Sequence, residues 1–326
     1  MLKPLVRRAA RLVETGLERI GTGDASQPVL EPYFGYAADR GLVIRGRVLT
    51  SLRRTEPSPE ASKWANLRQM ATLFITDEVA DVTVRGGGVD AVTDAEGYFT
   101  LHVPGDFLPG WAEIMVALDG QDPVPFIARV PGPEARHMVI SDIDDTIIRT
   151  GAHSLARNLW TTFTGSALSR EAYADAIALV EDLAADGNNP VFYVSSSPWN
   201  LHNFLDRLFT HRGVPRGPMF LRDLGLTEEG VGESHGRHKG AAIDAILAAN
   251  PDLSAYLLGD TGQHDARVYR DAVLRHPGRI RGVALREPVP GLGANDADAI
   301  SAIEAAGVPC YHAPTFDGAT DHWGPR

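Results

Sequence analysis

This sequence predicts an α/β chain of two units, a small β-sandwich followed by a doubly wound parallel sheet. From Gly41 to about Pro131 it runs as short segments rich in β-branched and aromatic residues with turn formers between them, the pattern of antiparallel strands. Beyond Pro133, apolar runs of strand length alternate with helical segments, the pattern of βαβ units. Length agrees, because 326 residues of 44% hydrophobic content can bury a sizeable core and favour two domains over one.

Residues 1–22 are expected to form an amphipathic helix, with Leu2, Leu5, Val6, Ala9, Leu12, Val13, Leu17 and Ile20 on one side and Lys3, Arg7, Arg8 and Arg11 on the other. Such a helix more often packs on its own domain than rests on anionic lipid, and both readings stay open. Residues 23–40, with turn formers and no period, read as a linker. The β domain, 41–132, holds the segments "LVIRGRVL", "VADVTVRGG", "GVDAVTD", "GYFTLHVP", "WAEIMVALDG" and "PVPFIARV", interrupted by one helical stretch, "EASKWANLRQMATLF". Its triple glycine, Gly86 to Gly88, lacks the lysine and following helix of a phosphate loop and reads as a hairpin turn. Asp94, Gly97 and Tyr98 resemble the hairpin of transthyretin-like modules, so a transthyretin- or immunoglobulin-like sandwich is expected. Residues 133–326 supply the strands "HMVIS", "PVFYVS", "AYLLGD" and "RIRGVALRE" and the helices "REAYADAIALVEDLAADG" and "KGAAIDAILAAN". Sheets of this kind bind ligands beyond the carboxyl ends of their strands, where Asp142, Ser195 and Asp260 fall.

A net charge of −11 argues against a nucleic-acid partner, which needs a basic surface. The single cysteine, Cys310, cannot form an intramolecular disulfide, so a cytoplasmic location is the expectation. No apolar run approaches the roughly 18 residues of a membrane span. The basic N-terminus, broken by Arg7, Arg8 and Arg11, lacks the apolar core of a signal peptide.

Chemistry concentrates in "VISDIDDTIIRTG", Val139 to Gly151, where three carboxylates fall within four positions. Like charges this close repel and raise one another's pKa, and a divalent cation would offset them. The stretch "DIDDT" resembles the DxDxT motif of haloacid-dehalogenase-type phosphatases, with Asp142, Asp144 and Thr146 in its defining places. Ser195 in "VFYVSSSPW" resembles the second motif of that family, Lys239 in "GRHKG" the third, and Asp260 with Asp265 in "LLGDTGQHD" the acidic fourth. More narrowly, "DIDDT", "YVSSSPW", "FLRD", "HK" and "GDTGQHD" are similar to the catalytic domain of the actin-patch-protein type of phosphatidate phosphatase, over roughly residues 135–290. The resemblance implies a Rossmann-like, haloacid-dehalogenase-like fold. It also implies hydrolysis of phosphatidate to diacylglycerol and phosphate.

The residues themselves suit that chemistry. A carboxylate attacking phosphorus in line gives an aspartyl-phosphate, splitting one hard hydrolysis into two easier steps, and Asp142 at a strand end is the candidate nucleophile. Asp144, two positions on and on the same side of the chain, is the candidate acid and base. Mg²⁺ prefers six oxygens, commonly one or two carboxylates with waters and phosphate. Asp142, Asp144 through its backbone carbonyl, Asp260 and Asp265 are the expected metal residues, with Asp265 either orienting a bound water or standing behind the ligands. Lys239 is expected to neutralise the nucleophile and a phosphoryl oxygen, and Ser195 to donate to another. Ser196 beside it either joins the phosphate contact or caps the next helix, and Ser197 reads as a helix cap.

Plainer readings stand beside these. Asp145 is expected to be a turn residue, and Asp260 and Asp265 fit an N-cap and a first-turn acid equally well. Arg149 and Arg222 meet either a headgroup or a surface acid. Trp199 is either core or the wall of a lipid-facing groove. "GESHG" matches the G-x-S-x-G elbow at Ser234, but the preceding "LGLTEEGV" is too polar for the buried strand that an elbow needs. His235 and His238, in an expected Gly-rich loop, are a poor metal pair, and His264 with Asp265 lacks the other histidines of its metal class. Alternatives to a phosphatidate phosphatase are the same chemistry on a soluble phosphomonoester and a phosphatidate-binding module without turnover. The expected partners are phosphatidate or another phosphomonoester, with transient contact at an anionic membrane surface that would make the protein peripheral to the membrane.

Overall fold

Strand β9 (His137–Asp142), HMVISD, is buried at all six positions. A strand in the middle of a parallel sheet is covered on both faces, so it tolerates no polar side. The computed structural model describes residues 27–50, 79–150, 171–222, 231–262, 264–287 and 292–324, with the side chains of 231–235 excepted. The helices expected at 1–22 and 60–74 lie outside the described residues.

Around β9 stand β10 (Val191–Pro198), β11 (Met219–Arg222), β12 (Ser254–Asp260), β13 (Ile280–Arg286) and β14 (Cys310–Ala313). They form one parallel sheet in the order β11-β10-β9-β12-β13-β14. Alternate residues serve opposite layers. Val139, Tyr193 and Leu258 pack with α1 (Ala174–Ala184) and α2 (His202–Arg212). Ile140, Phe192 and Leu257 pack with α3 (Val231–Ala249), α4 (Asp265–Arg275) and α5 (Ala294–Ala305). A short α6 (Ala319–Trp323) adds Ala319 to the first layer. Strands β9 to β11 extend the sheet one way and β12 to β14 the other, so the connections leaving β9 and β12 diverge and open a crevice at the carboxyl ends of these two strands.

The first unit is a mainly antiparallel sheet of β1 (Val29–Pro32), β2 (Gly35–Ala38), β3 (Gly41–Leu49), β4 (Thr83–Gly86), β5 (Val89–Val92), β6 (Tyr98–Pro104), β7 (Gly110–Leu118) and β8 (Val124–Val130). Long β3 pairs with β1 and β2 along one edge and with β6 along the other. The sheet curls around its own core of Ile44, Val84, Val116, Phe126 and Ala128. Gly87 and Gly88 turn the β4–β5 hairpin with φ of 59° and 80°, the pair of positive angles that a two-residue hairpin turn asks for. The hairpin reading of the triple glycine therefore holds.

Three expectations need correction. Residues 23–40 are not a linker throughout, since β1 and β2 occupy 29–32 and 35–38. Each is too short to show a period of two, and pairing with nine-residue β3 makes them strands. The stretch from Val231 to Lys239 is not a loop but the first half of α3. Its glycines cost roughly 1 kcal/mol each in a helix, outweighed where Ile243, Ile246 and Leu247 of the same helix are buried. Strands β11 and β14, each of four residues, join the sheet beyond the strands expected from the apolar runs.

The two units share a packed boundary. Tyr36 and Val43 join the core of the parallel sheet beside Phe192 and Phe220. Arg45 donates to the Met219 carbonyl at 2.9 Å, and Arg129 to the carbonyls of Gly187 and Asn188.

Candidate active site

At the end of β9 the chain folds back on itself. The N–H groups of Ile147 and Ile148 both bond the Ile143 carbonyl at 3.0 Å, and Asp145 N–H bonds the Ile148 carbonyl at 2.7 Å. Asp145 holds a left-handed φ of 58°, and its Oδ1 accepts Thr150 N–H at 2.8 Å, as the turn reading expects. This loop fixes Asp142 and Asp144 in the crevice, buried with only 1% and 2% of their surfaces exposed.

Asp142 Oδ2 accepts the Thr146 hydroxyl at 3.1 Å, and Asp142 Oδ1 lies 2.7 Å from Lys239 Nζ. Lys239, on α3, reaches on to Asp265 Oδ1 at 2.5 Å. Asp265 opens α4, and its Oδ2 accepts Asp260 N–H at 3.3 Å. That approach needs Gly259, where a Cβ would stand 2.7 Å from Asp265 Oδ2 and 2.8 Å from the Tyr269 ring and hydroxyl. Asp260 ends β12, with Oδ1 accepting Gly262 N–H at 2.5 Å.

Carboxylate oxygens of Asp142, Asp260 and Asp265, all buried, lie within 4.8 Å of one another. Asp260 Oδ2 is buried without a hydrogen-bond partner. Burial pushes the Asp142 and Asp260 carboxyls well above the ordinary range, and the neighbouring Asp265 charge adds to it in both. Lys239 opposes the shift at both. Burial works against the charge on Lys239 itself, yet Asp142, Asp265 and Asp260 together raise its pKa. Negative charge thus exceeds what one ammonium neutralises. The oxygen-only donor set and the orphaned oxygen fit a hard divalent cation. Asp260 Oδ2 is the oxygen of this trio left for it, whereas Asp142 is engaged by Thr146 and Lys239 and Asp265 by Lys239 and Asp260 N–H.

Asp144 stands apart from this trio. Its Oδ2 accepts Ser195 Oγ at 2.9 Å and Ser197 Oγ at 3.1 Å, and Ser197 N–H donates to Ser195 Oγ at 2.9 Å. Burial raises its pKa, and the serine hydroxyls pull the other way. Its carboxylate is not among the three whose oxygens lie close together, and the contact expected of Asp144 is through its backbone carbonyl. Ser196, expected at the phosphate, is buried between the two serines that hold Asp144. Ser197, expected as a helix cap, instead gives its hydroxyl to Asp144, and the turn that follows has no side-chain cap. Thr146, the last position of the quoted motif, carried no role and proves to hold the nucleophile candidate.

The plainer readings also find their places. Arg149 pairs with Glu171 at 3.1 Å on the surface. Trp199 is partly buried at the boundary between the units, stacked on Tyr33. His264, at a left-handed φ of 72°, precedes α4 without capping it through its side chain.

Residues 137–287 match the family model described as the phosphatidate phosphatase APP1 catalytic domain. The chain is 30% identical over 207 residues to phosphatidate phosphatase APP1 of Saccharomyces cerevisiae, covering 60% of this chain and 34% of that protein. It is 24% identical over 214 residues to an uncharacterized protein of Schizosaccharomyces pombe, covering 61% of this chain and 34% of that one. The aligned region thus spans about a third of the length of these curated relatives. The resemblance carried by the five quoted motifs holds, and all five fall inside the matched segment.

Proposed function

From the match of residues 137–287 to an APP1-type catalytic domain, we propose that this protein is a Mg²⁺-dependent phosphatidate phosphatase, releasing diacylglycerol and phosphate through an aspartyl-phosphate. The observation that carries the reading is the buried group of Asp142, Asp260 and Asp265, tied together by Lys239 beside Asp144. Asp142, Asp260 and the backbone carbonyl of Asp144 would hold Mg²⁺, which when bound offsets the charge of the carboxylates and of the arriving phosphate. Asp142 attacks phosphorus, forming a carboxylate O–P bond as the bond to the glycerol oxygen breaks. Asp144 gives its proton to the leaving alkoxide, then takes one from the water that splits the aspartyl-phosphate. Lys239 keeps Asp142 ionised and aimed, and Ser195 turns its hydroxyl from Asp144 to a phosphoryl oxygen when substrate arrives.

The strand order and the helix layers on both faces support a Rossmann-like, haloacid-dehalogenase-like assignment for the unit beginning near residue 133. The curled sheet before it fits a transthyretin- or immunoglobulin-like sandwich whose two halves share strand pairing. Phosphate release from phosphatidate in mixed micelles, measured against a panel of sugar phosphates and nucleotides, tests the activity. Release is expected to favour phosphatidate, to stop with a chelator and to return with Mg²⁺. Preference for soluble esters would refute the lipid substrate, and binding without release would make the chain a phosphatidate-binding module.

No helix among the described residues is long and apolar enough to cross a membrane. The basic helix expected at 1–22 is the candidate for a peripheral contact with lipid. Deleting residues 1–20 is expected to weaken sedimentation with anionic vesicles, and unchanged sedimentation would leave that segment to packing.

A further inference from the structure

We propose that the N-terminal sheet positions the proton-transfer group of the catalytic unit. Tyr33, Arg45 and Arg47 hold the turn at Trp199 and Asn200, and through it the serine stretch to which Asp144 is bound. This rests on Asp144 being the acid and base.

The serine stretch needs outside support. Pairing of β10 with β9 ends at Val194↔Asp142. Pairing with β11 passes from Val194↔Phe220 directly to Pro198↔Arg222, four positions on one strand against two on the other. Ser195 to Ser197 therefore bulge out of the sheet, with no ladder partner on either side among the described residues. At one end of the bulge, Ser195 and Ser197 hold Asp144. At the other, the Trp199 ring stacks on Tyr33 with centroids 4.8 Å apart and planes 17° from parallel. The Arg45 guanidinium lies 5.0 Å from the centre of the same ring. Arg45 also grips the Met219 carbonyl, so it spans the turn and the start of β11. Arg47, 2% exposed, donates to Asn200 Oδ1 at 3.2 Å and to the Glu96 carbonyl at 2.8 Å, tying the turn to the first sheet. A displacement of about 1 Å at a reacting group can cost on the order of a hundredfold in rate. The side chains from the first sheet fix the far end of this stretch. They are positioning residues, since none touches the reacting atoms.

The readout is dependence on the leaving group. An alkoxide needs the proton of Asp144 as it departs, whereas p-nitrophenolate leaves without one, and kcat/KM reports this first chemical step. Trp199→Leu keeps apolar bulk but loses the flat face, and Trp199→Phe retains it. With dioctanoyl phosphatidate, Trp199→Leu is expected to lose at least about tenfold in kcat/KM, and with p-nitrophenyl phosphate no more than about twofold. Trp199→Phe should stay near wild type with both. Arg45→Leu, changed from the side of the first sheet, should show the same dependence on leaving group and serves if Trp199→Leu does not fold. Equal losses with the two esters, or no loss with phosphatidate, would overturn the inference and leave these contacts as packing. Wild-type protein inactive on both esters would instead overturn the phosphatase reading itself.

Discussion

Replacing Asp142 by Asn is expected to abolish phosphate release, a loss on the order of 10⁴-fold or more, as removal of a catalytic nucleophile brings elsewhere. That corresponds to about 5 kcal/mol or more of barrier. The amide fits the same space and its oxygen can still receive Lys239, which also keeps its bond to Asp265. It cannot form the covalent intermediate. Folding should not suffer, because burial and the neighbouring carboxylates work against the charge that the substitution removes, and Lys239 keeps Asp265 as its counter-charge. A melting temperature in metal-free buffer at or above that of wild type, with no turnover, is the expected pair of results. Activity surviving in this variant would exclude the aspartyl-phosphate route.

Asp144→Asn is the second large effect. The side chain would keep an acceptor for one of the two serine hydroxyls but no proton to transfer, so kcat/KM for phosphatidate is expected to fall by about 10²- to 10⁴-fold. The deficit should shrink sharply with p-nitrophenyl phosphate. An equal deficit with both esters would assign Asp144 a role other than proton transfer to the leaving group. Asp144→Asn and Trp199→Leu together should be less harmful than the product of their separate effects, since both act through one carboxylate.

What the sequence made legible were residues whose place follows from one local rule. Asp142 and Asp260 end long apolar strands, so strand length alone brings them to the same edge of the sheet. Lys239 reads as the start of a helix after a loop, because Gly232 and Gly236 suggest a loop where burial of the later half carries the helix back to Val231. Strands β1 and β2 were illegible for a related reason, being defined by a partner rather than by their own pattern. Ser197 reads as a helix cap from its place before Pro198 and Trp199, and its bond to Asp144 exists only once β9 and β10 are paired. The hold of Arg45 and Arg47 on the turn at Trp199 and Asn200 joins positions about 150 apart and is visible only once the two units are docked.

Lys239 bridges Asp142 and Asp265, side chains from opposite ends of the matched segment. Contacts so remote along the chain are costly to close and tend to come late as a parallel sheet assembles. Regain of turnover after dilution from denaturant should therefore trail the return of helical circular dichroism. A nascent chain would remain catalytically silent until β12 has docked beside β9.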